Sequence, residues 1–315
     1  MNKNTKIVLG ITALLVFGGV GLSLKNSDSK KLAQVNEYCG SDGMLMSIMA
    51  IQSHRSYCIK QITSSQFAVN TPTAYSFSIV DDQGNTLRNF QIDHTKLLHF
   101  IVARKDLAYF QHLHPDFDPN TGIFTLKDLT FPADGSYRIF ADFTPVGAQM
   151  GALGMPLSAV PFEDVSVGNS ASYVAQSIGT VETSKSFDGL RVVIGAVSTP
   201  TSGVDTTVTF SLTQNRKPVT DLEPYLGALG HAVILREGNL DFIHAHPIGD
   251  VTAVQNGKIS FIVNFPEAGK YKLFTQFQRA GKVITTDFVM NVVQGKTSSG
   301  DIMQGMNMSM SGMSH

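Results

Sequence analysis

From about residue 56 to 295 the apolar positions fall in short runs that alternate with polar ones, as in "YSFSIV" from Tyr75 and "VTFSLT" from Val208. Gly, Pro, Asn and Asp interrupt these runs about every eight to twelve residues, the spacing of short strands joined by turns. Alternation at period two sends one set of side chains to a buried face and the other to water. The pattern therefore predicts an all-β chain of immunoglobulin-like antiparallel β-sandwiches. It also occurs twice. "YSFSIVDDQGNTLRNF" corresponds to "VTFSLTQNRKPVTDL", and "FPADGSYRIFADF" from Phe131 corresponds to "FPEAGKYKLFTQF" from Phe265. Two tandem sandwich repeats are expected, over 56–168 and 186–295, joined by a polar linker at 169–185. Copy one carries a loop, "VGAQMGALGMPL", where copy two has only "RAGK".

The ends depart from this pattern. Ile7 to Leu24 runs for 18 residues without a charge. As a helix at about 1.5 Å per residue it just crosses a bilayer core. Residues 1–25 read as an N-terminal anchor or signal, with Lys3 and Lys6 left inside and the rest exported. The length of the run favours a retained anchor, and the poor cleavage site Gly21-Leu22-Ser23 does not exclude a removed signal. The expected location is the cell membrane with extracytoplasmic domains, or secretion. Residues 26–55 form a linker with a short helix over "GMLMSIMAIQ", Asp42 serving as its N-cap. Export into an oxidising compartment makes the two cysteines, Cys39 and Cys58, a disulfide candidate. A straight helix between them would hold the sulfurs more than about 20 Å apart, so pairing requires a break near Ser53-His54-Arg55. The same segment could offer soft metal ligands, but the apolar spacing of Met44, Met46 and Met49 is explained more simply by packing.

The formal net charge is −1 and charged residues make up 16% of the chain, so nothing electrostatic points to nucleic acid. The histidines carry more information. "HFIVARKDLAYFQHLHP" from His99 and "HAVILREGNLDFIHAHP" from His231 have the same length, the same histidine offsets and the same closing proline, and they hold six of the nine histidines. With a two-residue hairpin turn at Glu237-Gly238, His231 lies opposite His244, and His246 shares their face. With Lys105-Asp106 at the turn, His99 lies opposite His112, and His114 follows. Opposite residues have Cβ atoms about 5 Å apart, near enough for three imidazoles to share one ion while leaving a coordination position open. The arrangement resembles the His-x-His strand and neighbouring-strand histidine that hold zinc in carbonic anhydrases, in geometry and not in function. The plainer alternative is hydrogen-bonded core histidines with proline ending the strand, but two triads of identical spacing favour ligation. His94 has no counterpart in copy two and is only a weak extra.

Residues 296–315 contain Met303, Met306, Met308, Met310 and Met313, followed by His315, among Ser, Gly, Asn and Gln. Such a segment builds no core and is expected to be a disordered Met-rich tail. Thioethers are soft, neutral ligands that choose Cu(I), while imidazole accepts several metals, so together they select copper, as Cu(I) or Cu(II), with zinc as second choice.

"GALGHAVIL", "HLHP", "HAHP" and "FPEAGKYKLF" give both copies a resemblance, over most of residues 56–295, to exported bacterial YtkA-like and CopC-like copper-handling domains. The resemblance implies a protein that binds or passes copper outside the cytoplasm. A departure is the mature N-terminal amine, a ligand in some CopC-like proteins, which a retained anchor would remove. The expectation is a membrane-associated copper-binding protein that buffers, sequesters or transfers the ion, with a copper transporter or copper-dependent enzyme as partner. The alternatives are a zinc- or copper-dependent enzyme with an open three-histidine site, and a β-sandwich interaction module without metal. No carboxylate or serine–histidine motif stands beside either triad in sequence, which weighs against catalysis. Copper on the triads is expected to weaken from pH 7 towards 5, through the ordinary imidazole range.

Overall fold

The computed structural model describes residues 57–63, 66–150, 156–245, 247–248 and 256–295. Within them the chain is all-β, with one short 3-10 turn at Ser170–Ser172. The first half contains β1 (Tyr57–Gln61), β2 (Thr73–Asp81), β3 (Phe90–Gln91), β4 (His99–Arg104), β5 (Phe110–Leu113), β6 (Asp116–Asp118), β7 (Ile123–Leu129), β8 (Gly135–Asp142), β9 (Thr144–Pro145) and β10 (Phe162–Val167). The second half contains β11 (Ser184–Phe187), β12 (Leu190–Ala196), β13 (Asp205–Gln214), β14 (Lys217–Pro218), β15 (His231–Arg236), β16 (Phe242–Ala245), β17 (Lys258–Asn264), β18 (Gly269–Arg279) and β19 (Lys282–Val292).

In the first half a sheet ordered β1-β2-β7-β6 faces one ordered β10-β8-β4-β5, and β3 pairs with β9. Between the two large sheets lie Tyr75, Phe77, Phe100, Phe124, Tyr137 and Ile139, all buried. In the second half β11-β12-β13-β14, with β17 also on β13, faces β16-β15-β18-β19. Phe210, Ile234, Phe261, Leu273 and Phe288 fill that core. Every pairing between these strands is antiparallel, so each half is sandwich-like.

The period-two pattern breaks where it matters most. β4 is buried along its whole length and β15 nearly so. Phe100 and Val102 face the first core, whereas Ile101 and Ala103 face away from it into a third cluster shared with Val233, Leu235 and Phe274 of the second half. Two inner sheets thus pack against each other and form a seam between the halves. Its contacts come in exchanged pairs. Phe110 stacks on Phe274 at 4.4 Å between ring centroids, and Phe242 meets Phe140 at 5.0 Å. Phe110 and Phe242 occupy matching places in the two copies, as do Phe140 and Phe274. The seam therefore has the approximate two-fold character of a self-complementary dimer interface, within one chain.

The hairpins that carry the histidines close differently from the expected two-residue turns. Arg104 N–H donates to the Tyr109 carbonyl (3.0 Å), leaving Lys105 to Ala108 as the loop. Asp106 Oδ1 accepts from Arg104 Nε (2.8 Å) and from Ala108 N (3.1 Å), and Leu107 turns its buried side chain inward at φ 62°. The second hairpin closes from Arg236 N to the Asp241 carbonyl, with Leu240 buried in the same way. These wider loops slide the register by two residues. His112 lies opposite Ile101 and His244 opposite Val233, which corrects the direct pairings of His99 with His112 and His231 with His244. An even slide keeps His112 and His244 on their expected faces.

Several expectations fall outside the described residues: the Ile7–Leu24 segment, the helix before Cys58, Cys39 itself, His246 and the tail from residue 296. Cys58 is buried on β1. No helix among the described residues is long and apolar enough to cross a membrane.

Candidate metal centre

His99 opens β4, His112 lies on β5, and His114 follows that strand just before Pro115, which cannot donate to a further ladder bond. His99 Nδ1 is 3.0 Å from His112 Nε2 and 3.2 Å from His114 Nε2. One ligand atom from each of the three lies within 4.8 Å of the others, the only such group among the described residues. His99 and His112 are buried, at 2% and 8% exposure, and His114 is partly exposed.

The outer nitrogens fix the tautomers. His99 Nε2 sits 3.2 Å from the Asp93 carbonyl oxygen, which only accepts, so Nε2 carries the proton and Nδ1 keeps its lone pair. His112 Nδ1 sits 2.8 Å from Gln276 Oε1, while Gln276 Nε2 donates to Thr285 Oγ1. On that network His112 Nδ1 is protonated and Nε2 keeps its lone pair. Two lone pairs then face each other at 3.0 Å, an arrangement that a cation between them relieves. Burial lowers the affinity of these rings for a proton. His99 is brought down to about 4, by burial first and then by His244. His114 is brought to about 3, by burial and then by His99 and Lys96. His112 lies well below its ordinary value for the same first reason, with His114 and His99 adding to it. Neutral imidazole is the form that ligates metal.

The second half repeats the frame. His231 opens β15, and its Nε2 sits 2.9 Å from the Tyr225 carbonyl oxygen, as His99 does with Asp93. Asp93 to Lys96 and Tyr225 to Ala228 form matching tight turns with two positive-φ residues each, His94 and Thr95 in one, Leu226 and Gly227 in the other. His244 Nδ1 lies 2.6 Å from Asp142 Oδ2, across the seam. His231 is also lowered to about 3, by burial and then by His244 and His94.

The two halves bring their histidines near one another at the seam. His99 lies 5.5 Å from His244 and 6.4 Å from His231 between ring centroids, against 5.1 Å from His112. His94, a weak extra in sequence, packs 5.0 Å from His231 and 6.2 Å from His244. Asp142 was missed. It is opposite His99 in the β4–β8 ladder, as Gln276 is opposite His231 in the β15–β18 ladder. The lack of a carboxylate beside the triads is corrected accordingly, because a third strand delivers one. Burial raises Asp142, but the hydrogen bond and charge of His244 prevail and hold it below the usual carboxylate range. A signal for it existed: Asp142 and Gln276 occupy the same place in "FPADGSYRIFADF" and "FPEAGKYKLFTQF", polar positions in otherwise apolar strand ends. Met303, Met306, Met308, Met310, Met313 and His315, like His246, lie outside the described residues.

Comparison with solved structures returns distant matches. Salmonella α-2-macroglobulin reacted with methylamine is 8% identical over 76% of this chain and 15% of that one, with a TM-score of 0.23. Three N-terminal domains of the bacteriophage RB49 highly immunogenic outer capsid protein are 9% identical over 77% and 71%, at 0.18. Fibronectin(III)-like modules of Clostridium thermocellum CbhA are 8% identical over 75% and 94%, at 0.19. No curated protein matches the chain. Residues 57–153 and 185–294 match a family model, and the chain belongs to that family, described as Domain of unknown function (DUF8832).

Proposed function

We propose that this chain is an extracytoplasmic copper-binding protein that buffers, sequesters or transfers the ion. The observation that carries the reading is the buried, orientated set of His99, His112 and His114, with two lone pairs facing each other at 3.0 Å. Three neutral nitrogens suit copper or zinc, and the thioethers of the tail tip the choice to copper. Each half is read as one immunoglobulin-like domain akin to the YtkA-like and CopC-like proteins. The Ile7–Leu24 segment would hold the chain at the membrane, or direct its secretion, facing a copper transporter or copper-dependent enzyme.

A metal-dependent enzyme is the second reading, favoured by the carboxylate of Asp142 beside the cluster. That carboxylate already accepts from His244, which gives it an orienting role and leaves the binding reading ahead. Copper analysis of the full-length protein after exposure to Cu(II) and gel filtration tests the proposal. The wild type should retain copper, and the variant with His112→Ala and His114→Ala should lose one ion. Equal copper content in the two would overturn the assignment. Turnover by the loaded protein in a hydrolase and oxidase screen would move the reading to the enzyme.

A further inference from the structure

The three nitrogens that converge all belong to the first half, yet one of them is held in its ligating form by the second half. We infer that Gln276 is a positioning residue of the His99, His112 and His114 site. By accepting the proton of His112 Nδ1 across the seam it keeps His112 Nε2 open to a metal ion, which makes the second half part of the site and links metal binding to the docking of the halves. This inference rests on the reading of the triad as a metal site.

Three observations carry it. The first is a competition for one proton. A neutral imidazole carries its proton on one nitrogen only. His99 gives its own proton to the Asp93 carbonyl, so its Nδ1 is an acceptor 3.0 Å from His112 Nε2. Without an acceptor on the other side, His112 would place its proton on Nε2 and donate it to His99, and that bond would occupy both ligating atoms. Gln276 Oε1, 2.8 Å from His112 Nδ1, draws the proton to the far side. The second is the anchoring of Gln276. Its Nε2 donates to Thr285 Oγ1 at 3.1 Å, and Thr285 lies directly opposite it in the β18–β19 ladder. Gln276 and His112 are 7% and 8% exposed, which leaves little room for water to replace the amide. The third is register. Phe110 and His112 stand two apart on β5, as Phe274 and Gln276 do on β18, so each pair shares a face. The stack of Phe110 on Phe274 and the bond of His112 to Gln276 are successive steps of one seam, between residues 164 positions apart. Packing of the apolar seam therefore sets the distance at which Gln276 meets His112. By reciprocity, an ion that needs this contact stabilises the docked halves as much as docking strengthens the ion.

The test uses the full-length chain, with histidines labelled by nitrogen-15, and reads two quantities. Long-range proton–nitrogen correlation spectra of the metal-free protein give the tautomer of His112, whose signals are those missing from His112→Ala. Competition titrations with Cu(II) give the affinity. The wild type should show His112 protonated at Nδ1. Gln276→Leu, which keeps the bulk and removes the acceptor, should move that proton to Nε2 and weaken copper about 10–100-fold, the usual cost of losing an orienting partner. Gln276→Glu restores an acceptor and should return both the Nδ1 tautomer and the affinity, which a merely structural role would not do. Melting curves of the metal-free variants serve as the folding control. Should Gln276→Leu not fold, Thr285→Val loosens the amide from its far side and should shift tautomer and affinity in the same direction by a smaller step. Phe274→Ala, which loosens the seam away from the triad, should weaken copper as well. An unchanged tautomer or an unchanged affinity in Gln276→Leu would overturn the role of Gln276, and wild-type affinity in Phe274→Ala would overturn the link to docking. Either result would leave the triad standing as a copper site. A wild type that binds no copper would instead sink the metal reading itself.

Discussion

At matching places on the two sides of the seam, Asp142 accepts a hydrogen bond from His244 and Gln276 accepts one from His112. At another matched pair, His94 stands where the second half has Leu226. The apolar frame around them is nearly symmetric, with Phe110 on Phe274 and Phe242 on Phe140. The frame is therefore duplicated while the polar groups have diverged. A carboxylate behind an imidazole raises its basicity more than a neutral amide does, so equal scaffolds hold rings of unequal donor strength.

The largest expected effect comes from breaking the frame itself. Phe274→Ala removes the stacked partner of Phe110 and should cost about 3 kcal/mol of stability, in the range for deleting a buried aromatic side chain. Phe242→Ala, at a partly buried position with a looser ring contact, should cost less. Chemical denaturation of both variants measures the difference, and a larger loss for Phe242→Ala would contradict the seam as described.

Exchanging the polar groups sharpens the comparison. If His244 takes part in holding copper, Asp142→Asn should weaken copper binding by about 10–100-fold, the usual cost of losing an orienting partner. Gln276→Glu should strengthen the ion on His99, His112 and His114, because it puts a carboxylate behind His112. Competition titrations decide between this and a purely steric role, in which both substitutions would weaken binding.

A smaller effect per residue comes from pH. His99, His114 and His231 have folded values near 4, 3 and 3, below their ordinary value of 6.5. The unfolded chain therefore binds more protons as pH falls below 6.5. The stability of the metal-free protein should be complete above that value and fall steadily towards pH 4, by on the order of 1–2 kcal/mol per histidine at pH 5. Melting curves of the apo protein at pH 7.5 and pH 5 check it, and no fall would show that the rings are less buried than described. The same lowered values revise the expectation that copper leaves His99, His112 and His114 between pH 7 and 5. Rings that stay neutral there should retain much of it.

The smallest expected difference separates the folded site from the tail. Cu(I) retained at pH 5 should be modestly higher in the full-length chain than in a chain ending at Gly295, since thioethers do not titrate. Equal retention would leave Met303, Met306, Met308, Met310 and Met313 without a role in binding.

Much of the site could be read from single strands. "HFIVAR" and "HAVILR" are unbroken apolar runs after a histidine, a signal of strands buried on both faces. The face each histidine occupies depends only on parity along the strand, so it survived the two-residue slide made by the Asp106 and Leu107 loop. Asp142 was harder to see because it reaches His99 and His244 through β8, some thirty residues beyond His112 in the chain, and only ladder pairing with β4 brings it there.

The amino-acid sequence by itself determined the strands, their duplication and the common face of the histidines, because strand periodicity and turn chemistry act over a few residues. Tertiary structure decided what that face meets. The outward sides of β4 and β15 are both apolar around their histidines, and burying them against each other removes both from water at once. That packing, a contact between residues more than a hundred positions apart, is what brought the two hairpins side by side and set Asp142 and His94 next to their histidines.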